Sequence, residues 1–171
     1  QVKAGNNACW NGTAYRHPAY EGETDDRAQA LAVLAGIAPE EHYPALLKVL
    51  QTEFHASPYM EKYVMEALFR MGYGRYALER TRTRFAEMVD SPEHTTLFEG
   101  WGIGEKGFGG GTTNHAWSGG ALTVLAGQLC GIAPLEAGYR TFLVEPDPAS
   151  FGAASIDVPT VRGMIRSAFT N

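Results

Sequence analysis

Hydrophobic residues in the first 135 positions recur with the 3.6-residue period of α-helices, and they predict five helices. Thr24 is expected to cap the first helix, whose apolar run covers residues 28–35. The other four are expected at residues 39–54, 58–72, 75–89 and 116–131. Residues 1–23 have no sustained period and are predicted to form a loop.

The apolar surface of these predicted helices alternates between nearly complete and one-sided. The first, third and fifth helices are apolar on most faces, whereas the second and fourth each have one apolar stripe. A helix that lacks a polar face is buried on most sides. The alternation therefore predicts helical hairpins in two concentric rings, where outer helices cover inner ones, rather than a plain bundle.

The pattern changes after Pro134 to one that is typical of strands. Residues 139–144 favour a strand, and residues 160–169 alternate with a period of two. A short helix over residues 160–168 is the competing prediction. Because two or three strands do not form a stable sheet alone, we expect the first strands of a β domain that this chain does not complete.

Composition and charge narrow the class of protein. The chain has 171 residues, enough for one ordinary domain, and a net charge of −5 with both signs mixed. It has neither a basic patch nor a membrane-length apolar run, so we expect no nucleic-acid or membrane partner. Cys9 and Cys130 are expected to be free, buried thiols, with one long-range disulfide as the alternative. Because the first residue is Gln1, the numbering is expected to begin inside a longer protein.

Residues 94–118 contain the candidate chemistry. Glu99 stands between the aromatic residues Phe98 and Trp101, and a glycine-rich connection leads to a second cluster that contains Asn114, His115 and Trp117. Sugars present apolar ring faces that stack on aromatic rings, and hydroxyls that need fixed polar partners. The segment therefore predicts a carbohydrate site. The alternatives are an exposed loop glutamate and a simple helix cap.

The other polar positions have weaker functional interpretations. Asp25 and Asp26 are expected to cap the first helix, and a magnesium site is disfavoured because further acidic ligands are missing. The glycines of residues 104–111 lack the flanking strand and Lys-Ser/Thr of a phosphate loop. Trp10 is expected either to pack in the core or to stack on a sugar.

Three segments, residues 25–39, 57–68 and 95–120, resemble the C-terminal part of the catalytic region of bacterial α-L-rhamnosidases, which are six-hairpin glycoside hydrolases. The third is the most specific, because an acid-plus-tryptophan element and an Asn-His element recur in order across a variable loop. These elements are Thr95-Thr96-Leu97-Phe98-Glu99-Gly100-Trp101 and Asn114-His115-Ala116-Trp117-Ser118-Gly119-Gly120.

The resemblance implies the C-terminal part of an (α/α)6 toroid over residues 1–135 and the first strands of a C-terminal β domain over residues 136–171. It also implies an inverting mechanism with two carboxyl groups about 6.5–9.5 Å apart. Glu99 falls at the position of the water-activating base, and His115 falls where the family binds the sugar. The expected further substrate contacts are Trp101, Trp117, Trp10 and Asn114.

The sequence departs from the family pattern at two points. The general acid of the family lies upstream, in a segment that this chain lacks, and Gly100 replaces a residue that is larger in many relatives. We therefore expect a fragment with little activity alone, whose partners are a rhamnoside and the remainder of the parent polypeptide. No cofactor or metal is expected, because proton transfer between two carboxyl groups and water needs none.

The expected function is hydrolysis of terminal α-L-rhamnosides with inversion. Two alternatives remain open at this point. One is a non-catalytic helical repeat module that binds glycan or protein, and the other is a six-hairpin enzyme that acts on a different sugar. The resemblance points to a bacterial protein in a periplasmic, extracellular or cytoplasmic location.

Overall fold

A computed structural model describes residues 8–103 and 111–171. Its helices are α1 (Asp26–Leu34), α2 (Tyr43–Thr52), α3 (Pro58–Arg70), α4 (Gly74–Val89) and α5 (Gly120–Val124). Its strands are β1 (Ile132–Pro134), β2 (Phe142–Val144), β3 (Ala153–Thr160) and β4 (Gly163–Thr170). Short 3-10 turns span Glu40–His42, Ala116–Gly119 and Ala137–Tyr139, and a π-helical turn, Leu125–Leu129, prolongs α5.

Local side-chain caps explain where α1 and α3 begin. The Asp25 carboxylate accepts a hydrogen bond from the backbone N–H of Arg27, and the Ser57 hydroxyl accepts one from Met60. Pro58 occupies the first position of α3, where a missing N–H costs nothing. The hydrogen bond from the Arg27 side chain holds the pKa of Asp25 below its usual value. Asp25, rather than the expected Thr24, is therefore the N-cap of α1.

Helix α3 is the centre of the helical part. It packs against α1 on one side, against α5 on another and against α4, while α2 packs on α1. The main core between these helices is apolar, with Leu46, Leu50, Val64 and Leu68 fully buried. A second, smaller core contains Phe85 and Met88 of α4 together with Phe98. The fold is mainly α followed by a small β portion, and this much of the predicted fold is confirmed.

The apolar helices are less buried than the sequence predicted. Leu31 in α1, Tyr59 in α3 and Leu122 in α5 are exposed by 47%, 39% and 67%. The prediction that these helices are buried on most sides is therefore wrong for the described residues. Each of the three has one apolar edge that no described element covers.

A buried ion cluster joins three helices. The Arg80 guanidinium from α4 lies 2.6 Å from the Asp26 carboxylate of α1 and 2.5 Å from the Glu61 carboxylate of α3. Arg84, one turn later, lies 3.2 Å from Glu61. The side chains of Asp26 and Glu61 have no exposed surface, and that of Arg80 has 1%.

The charged groups of the cluster are paired mainly with one another. Two carboxylates face two guanidinium groups, and Arg80 also donates to the backbone carbonyls of Leu50 and Glu53 at the end of α2. Burial opposes its charged form, but the hydrogen bonds to Glu61 and Asp26 hold the pKa of Arg80 above its usual value. Asp26 was expected to cap α1 together with Asp25, and this prediction is wrong for Asp26, because its carboxylate binds Arg80 inside the cluster.

The β portion consists of two separate two-stranded antiparallel sheets, β1 with β2 and β3 with β4. Residues 160–168 do not form the helix considered as an alternative, because β3 and β4 pair over eight residues each. The strand expected at residues 139–144 is shorter, since Tyr139 closes a 3-10 turn with a φ of 54°.

Gly131 fixes the junction between the helical and β parts. Its φ is +70°, and a Cβ at this position would lie 2.0 Å from the backbone carbonyl carbon of Glu145. Its carbonyl accepts a hydrogen bond from the Glu145 N–H at 2.9 Å. Only glycine allows both this conformation and this close approach.

The remaining general predictions concern the cysteines and membrane insertion. Both thiols are free, Cys130 being buried and Cys9 half-buried. Burial raises the pKa of the Cys130 thiol. Within residues 8–103 and 111–171, no helix is long and apolar enough to cross a membrane.

The ion cluster predicts a large stability difference between two arginines of α4. We expect Arg80→Met to lower the free energy of unfolding by about 3–5 kcal/mol, because it leaves buried carboxylates without their partner. Arg82→Met, at an exposed position of the same helix, should change it by less than about 0.5 kcal/mol. Denaturant unfolding compares the two variants, and equal losses would contradict the proposed role of the cluster.

Two glycines with positive φ provide a second stability test. Gly72→Ala should cost about 1–2 kcal/mol from the left-handed conformation alone, since no atom lies within 4 Å of the new Cβ. Gly131→Ala should lower the free energy of unfolding by about 1–3 kcal/mol more than Gly72→Ala does, because the Glu145 backbone must also move. Unfolding midpoints measure the difference, and a Gly131→Ala variant as stable as Gly72→Ala would refute the close approach.

Candidate functional site

Two chain segments are tied side by side to form the candidate site. The N–H of Glu99 donates to the carbonyl of Thr112, and the N–H of His115 donates to the carbonyl of Leu97, both at 2.9 Å. The buried Ser118 hydroxyl donates to the Phe98 carbonyl at 2.6 Å. These hydrogen bonds hold the segment around Glu99 against the turn that begins α5.

The smaller hydrophobic core also anchors the segment that carries Glu99. Phe98 is 1% exposed and packs with Phe85 and Met88 of α4. Because the side chain of Phe98 is fixed in this core, its neighbour Glu99 points to the opposite side, where its side chain is 32% exposed.

Glu99 and His115 face each other at the surface. Glu99 Oε2 lies 3.9 Å from His115 Nδ1. Thr112 bridges them, because its N–H donates to Glu99 Oε2 at 3.1 Å and its hydroxyl contacts His115 Nδ1 at 2.9 Å. Among the described residues, no donor is hydrogen-bonded to the other oxygen, Oε1. Within the described part of the chain, the carboxylate is therefore oriented through Oε2 and has no donor on Oε1.

Trp117 extends this group, whereas Trp101 does not. The Trp117 ring lies 4.2 Å from the His115 ring and is 44% exposed. Trp101 is turned toward the helices, where its Nε1 donates to the Ala56 carbonyl at 2.7 Å and its ring lies 4.3 Å from the Arg84 guanidinium. Trp101 therefore holds the loop in place, and of the two tryptophans it is Trp117 whose ring lies beside His115.

The other two predicted contacts lie outside this arrangement. Trp10 stacks on His42 with ring centroids 3.8 Å apart, and both adjoin Tyr15 in the main core. Asn114 is exposed, next to His115 in the chain. The structure thus groups Glu99, His115 and Trp117, and it leaves Trp10 in a separate cluster.

The surroundings of the pair are only partly described. The glycine-rich residues considered above as a phosphate loop include residues 104–110, which lie outside the described part of the chain. A cavity of about 820 Å³ lies between α3, α5 and β3, and neither Glu99 nor His115 lines it. Within residues 8–103 and 111–171, no three metal-ligating side chains come together.

Sequence reasoning missed three residues near the pair. Thr112, considered only as a helix cap, orients both Glu99 and His115. Tyr59 and Tyr63 belong to the third predicted helix, which was expected to be buried on most sides, but Tyr59 is 39% exposed and its ring lies 5.4 Å from that of Trp117. Their one-turn spacing in α3 was visible, but the side of the helix that stays open was not.

Substitution of the two tryptophans should lower stability by different amounts. Trp101→Phe should lower the free energy of unfolding by about 1–2 kcal/mol, since it removes the hydrogen bond to Ala56 and weakens the contact with Arg84. Trp117→Phe should change it by less than about 0.5 kcal/mol at its exposed position. Thermal or denaturant unfolding separates the two, and a greater loss for Trp117→Phe would reverse the assignment.

Comparisons with known proteins give two matches. Residues 131–171 match the family model of the bacterial alpha-L-rhamnosidase C-terminal domain. The chain also resembles the crystal structure of a GH78 family rhamnosidase of Bacillus sp. GL1, with a TM-score of 0.71 and 22% sequence identity. That match covers 98% of this chain and 19% of the rhamnosidase. A search of the curated proteins gives no match.

The two matches concern different parts of the molecule. The family model covers the β portion, and the structural match extends the shared fold over the helices that hold Glu99 and His115. The chain spans about a fifth of the length of that rhamnosidase. The β portion is therefore similar to the C-terminal domain of bacterial α-L-rhamnosidases, and the chain as a whole shares the fold of the matched part of that rhamnosidase.

Proposed function

We propose that this chain is part of a glycoside hydrolase that cleaves terminal α-L-rhamnosides with inversion, and that Glu99 is its general base. The observation that supports this most strongly is the pairing of Glu99 with His115 across Thr112. The structural likeness to a GH78 family rhamnosidase supports the choice of sugar.

The proposed base has the orientation that water activation needs. The N–H of Thr112 holds Oε2, so that Oε1 is left for a water molecule. Glu99 takes the proton of this water as its oxygen attacks the anomeric carbon. In an inverting enzyme, a second carboxyl group about 6.5–9.5 Å away protonates the leaving oxygen on the opposite face of the sugar.

His115 and Trp117 suit the binding of the sugar ring. With Nδ1 of His115 directed to Thr112, its Nε2 is available for a sugar hydroxyl. The exposed Trp117 face provides an apolar platform next to it. Substrate binding and water activation would then occur on one continuous surface.

We infer that the general acid comes from a part of the parent polypeptide outside these residues. In the same proposal, residues 1–135 are the C-terminal part of an (α/α)6 toroid, and residues 136–171 begin a C-terminal β domain. The exposed apolar residues Leu31 and Leu122 support the toroid, because further helices of a ring would cover such edges. The parent polypeptide and a rhamnoside are therefore the proposed partners.

Substitution of the base tests this function. In the protein at its natural length, Glu99→Gln should lower kcat on an aryl α-L-rhamnoside by about 10²–10⁴-fold, because the amide accepts no proton. Glu93→Gln, in the same loop and exposed, is the matched control and should retain activity. Proton NMR of the first product should show the inverted anomer.

Three outcomes would redirect the proposal. Full activity in Glu99→Gln would place the base elsewhere. Rhamnoside hydrolysis by the 171-residue chain alone, abolished by Glu99→Gln, would refute the external general acid. Release of a different sugar from a panel of aryl glycosides would support a six-hairpin enzyme of other specificity.

The non-catalytic binding module is the second candidate. Its support is the exposed Trp117 ring, which a glycan-binding surface would equally use. The pairing of Glu99 with His115 favours the enzyme, since a stacking surface alone needs no oriented carboxylate. If the protein at its natural length binds a glycan and does not hydrolyse it, the binding module is supported over the enzyme.

A further inference from the structure

Four aromatic rings form a row that starts at Glu99 and runs across the surface. His115 stands next to the carboxylate, followed by Trp117, Tyr59 and Tyr63. The centroids of neighbouring rings lie 4.2, 5.4 and 5.8 Å apart in this order. We call these four residues the aromatic row.

The row is an exposed surface built from two elements. Trp117 lies in the turn before α5, and the two tyrosines lie one helical turn apart at the start of α3. Trp117 and Tyr59 are exposed by 44% and 39%, and Tyr63 is half-buried. Large rings that are exposed together, and held by each other rather than by the core, are typical of a binding surface.

The far end of the row combines ring faces with hydroxyl groups. The hydroxyls of Tyr59 and Tyr63 lie 3.2 Å apart, and this hydrogen bond raises the pKa of Tyr63 above its usual value. Beside them, Lys62 Nζ lies 5.5 Å from the Tyr63 ring centroid and 3.7 Å from Glu66. This end therefore offers apolar faces and neutral hydrogen-bonding groups side by side.

One sugar ring does not reach both ends of the row. A ring placed against Glu99, His115 and Trp117 leaves Tyr59 and Tyr63 beyond its edge, since these lie one and two ring spacings farther along. A ligand that contacts the whole row must contain a second ring. Hydroxyls beside aromatic faces suit a second pyranose better than a flat aromatic group, which has few polar partners to offer.

We propose that Tyr59 and Tyr63 bind a second pyranose ring, the one linked to the rhamnose through the oxygen that is cleaved. This inference rests on the proposed function, because it takes Glu99 and His115 as the site of the first ring. It assigns Tyr59 and Tyr63 a role in choosing the leaving group. The preferred substrates would be rhamnosyl disaccharides or longer glycans rather than simple alkyl rhamnosides.

The test compares leaving groups in the protein at its natural length. The measured quantity is the ratio of kcat/KM for an α-L-rhamnosyl disaccharide to kcat/KM for methyl α-L-rhamnoside. Tyr59→Ala should lower this ratio about tenfold, the effect of losing one stacked ring. Tyr59→Phe keeps the ring and should keep the ratio within about twofold.

Matched variants exclude a general loss of structure. Tyr20→Ala removes another exposed tyrosine, one outside the row, and should leave the ratio unchanged. Tyr59→Gln replaces the ring with a residue that favours helices, and it serves as the second variant if alanine lowers the melting temperature. An unchanged ratio in a folded Tyr59→Ala or Tyr59→Gln protein would overturn the proposal.

Two further measurements separate the possible failures. If phenyl α-L-rhamnoside, rather than the disaccharide, loses its advantage in Tyr59→Ala, the row binds a planar leaving group and the proposal is wrong. If the wild-type protein cleaves no rhamnoside, the proposed function fails. Calorimetric titration with the disaccharide then tests whether the aromatic row binds this ligand. Binding weakened about tenfold by Tyr59→Ala would support the row, and equal or absent binding would overturn it.

Discussion

The pairing of Arg80 with two buried carboxylates is the interaction on which the rest of the structure depends. Asp26, Glu61 and Arg80 come from α1, α3 and α4, so their contacts fix three helices relative to one another. A buried ion pair is costly to desolvate and adds little net stability by comparison with apolar packing. Its geometry is nevertheless demanding, because a displaced helix would leave a charge unpaired in the interior. The cluster therefore specifies the arrangement of the helices more than it stabilises them.

The same cluster extends to the candidate site through Ala56. The N–H of Ala56 is directed to Asp26 at 3.4 Å, and its carbonyl accepts hydrogen bonds from Arg84 and from the Trp101 indole, both at 2.7 Å. Trp101 lies two residues after Glu99, so the loop that carries the proposed base is attached to the ion cluster by a short path. Phe98 secures the other side of the loop in the small core with Phe85. The site is thus an exposed carboxylate on a rigidly supported backbone, which is what a positioned proton acceptor requires.

The helical part could be predicted from the sequence because its signals are local. The periods of residues 58–72 and 75–89, with the caps at Asp25 and Ser57, placed α1, α3 and α4 within a few residues of their observed ends. Arg80 was missed because its partners lie 19 and 54 positions away, and an arginine in a helical pattern is by default a surface residue. Strand β1 was missed because its three residues are defined by pairing with β2 and not by a pattern of their own.

The candidate site, too, could be predicted from the sequence only in part. That Glu99 and His115 belong to one site was expected from their residue types and from the family resemblance, but no spacing rule fixes the contact of residues 16 positions apart across a loop. Trp10 and Trp101 were grouped with them by residue type, and the structure gives them other neighbours in the two cores. Tyr59 and Tyr63 were expected to be buried with the third predicted helix, because aromatic residues at helical spacing usually pack inward. Their exposure depends on which elements cover α3, which the pattern of one helix does not contain.

The most direct test of the central claim is a crystal structure of the protein at its natural length with rhamnose bound. The distance of interest joins Glu99 Oε1 to the water nearest the anomeric carbon. The proposal predicts this water within about 2.6–3.2 Å of Oε1, on the face of the ring opposite the leaving oxygen, with the sugar against His115 and Trp117. Rhamnose bound away from Glu99, or with the carboxylate on the same face as the leaving oxygen, would contradict its role as the base.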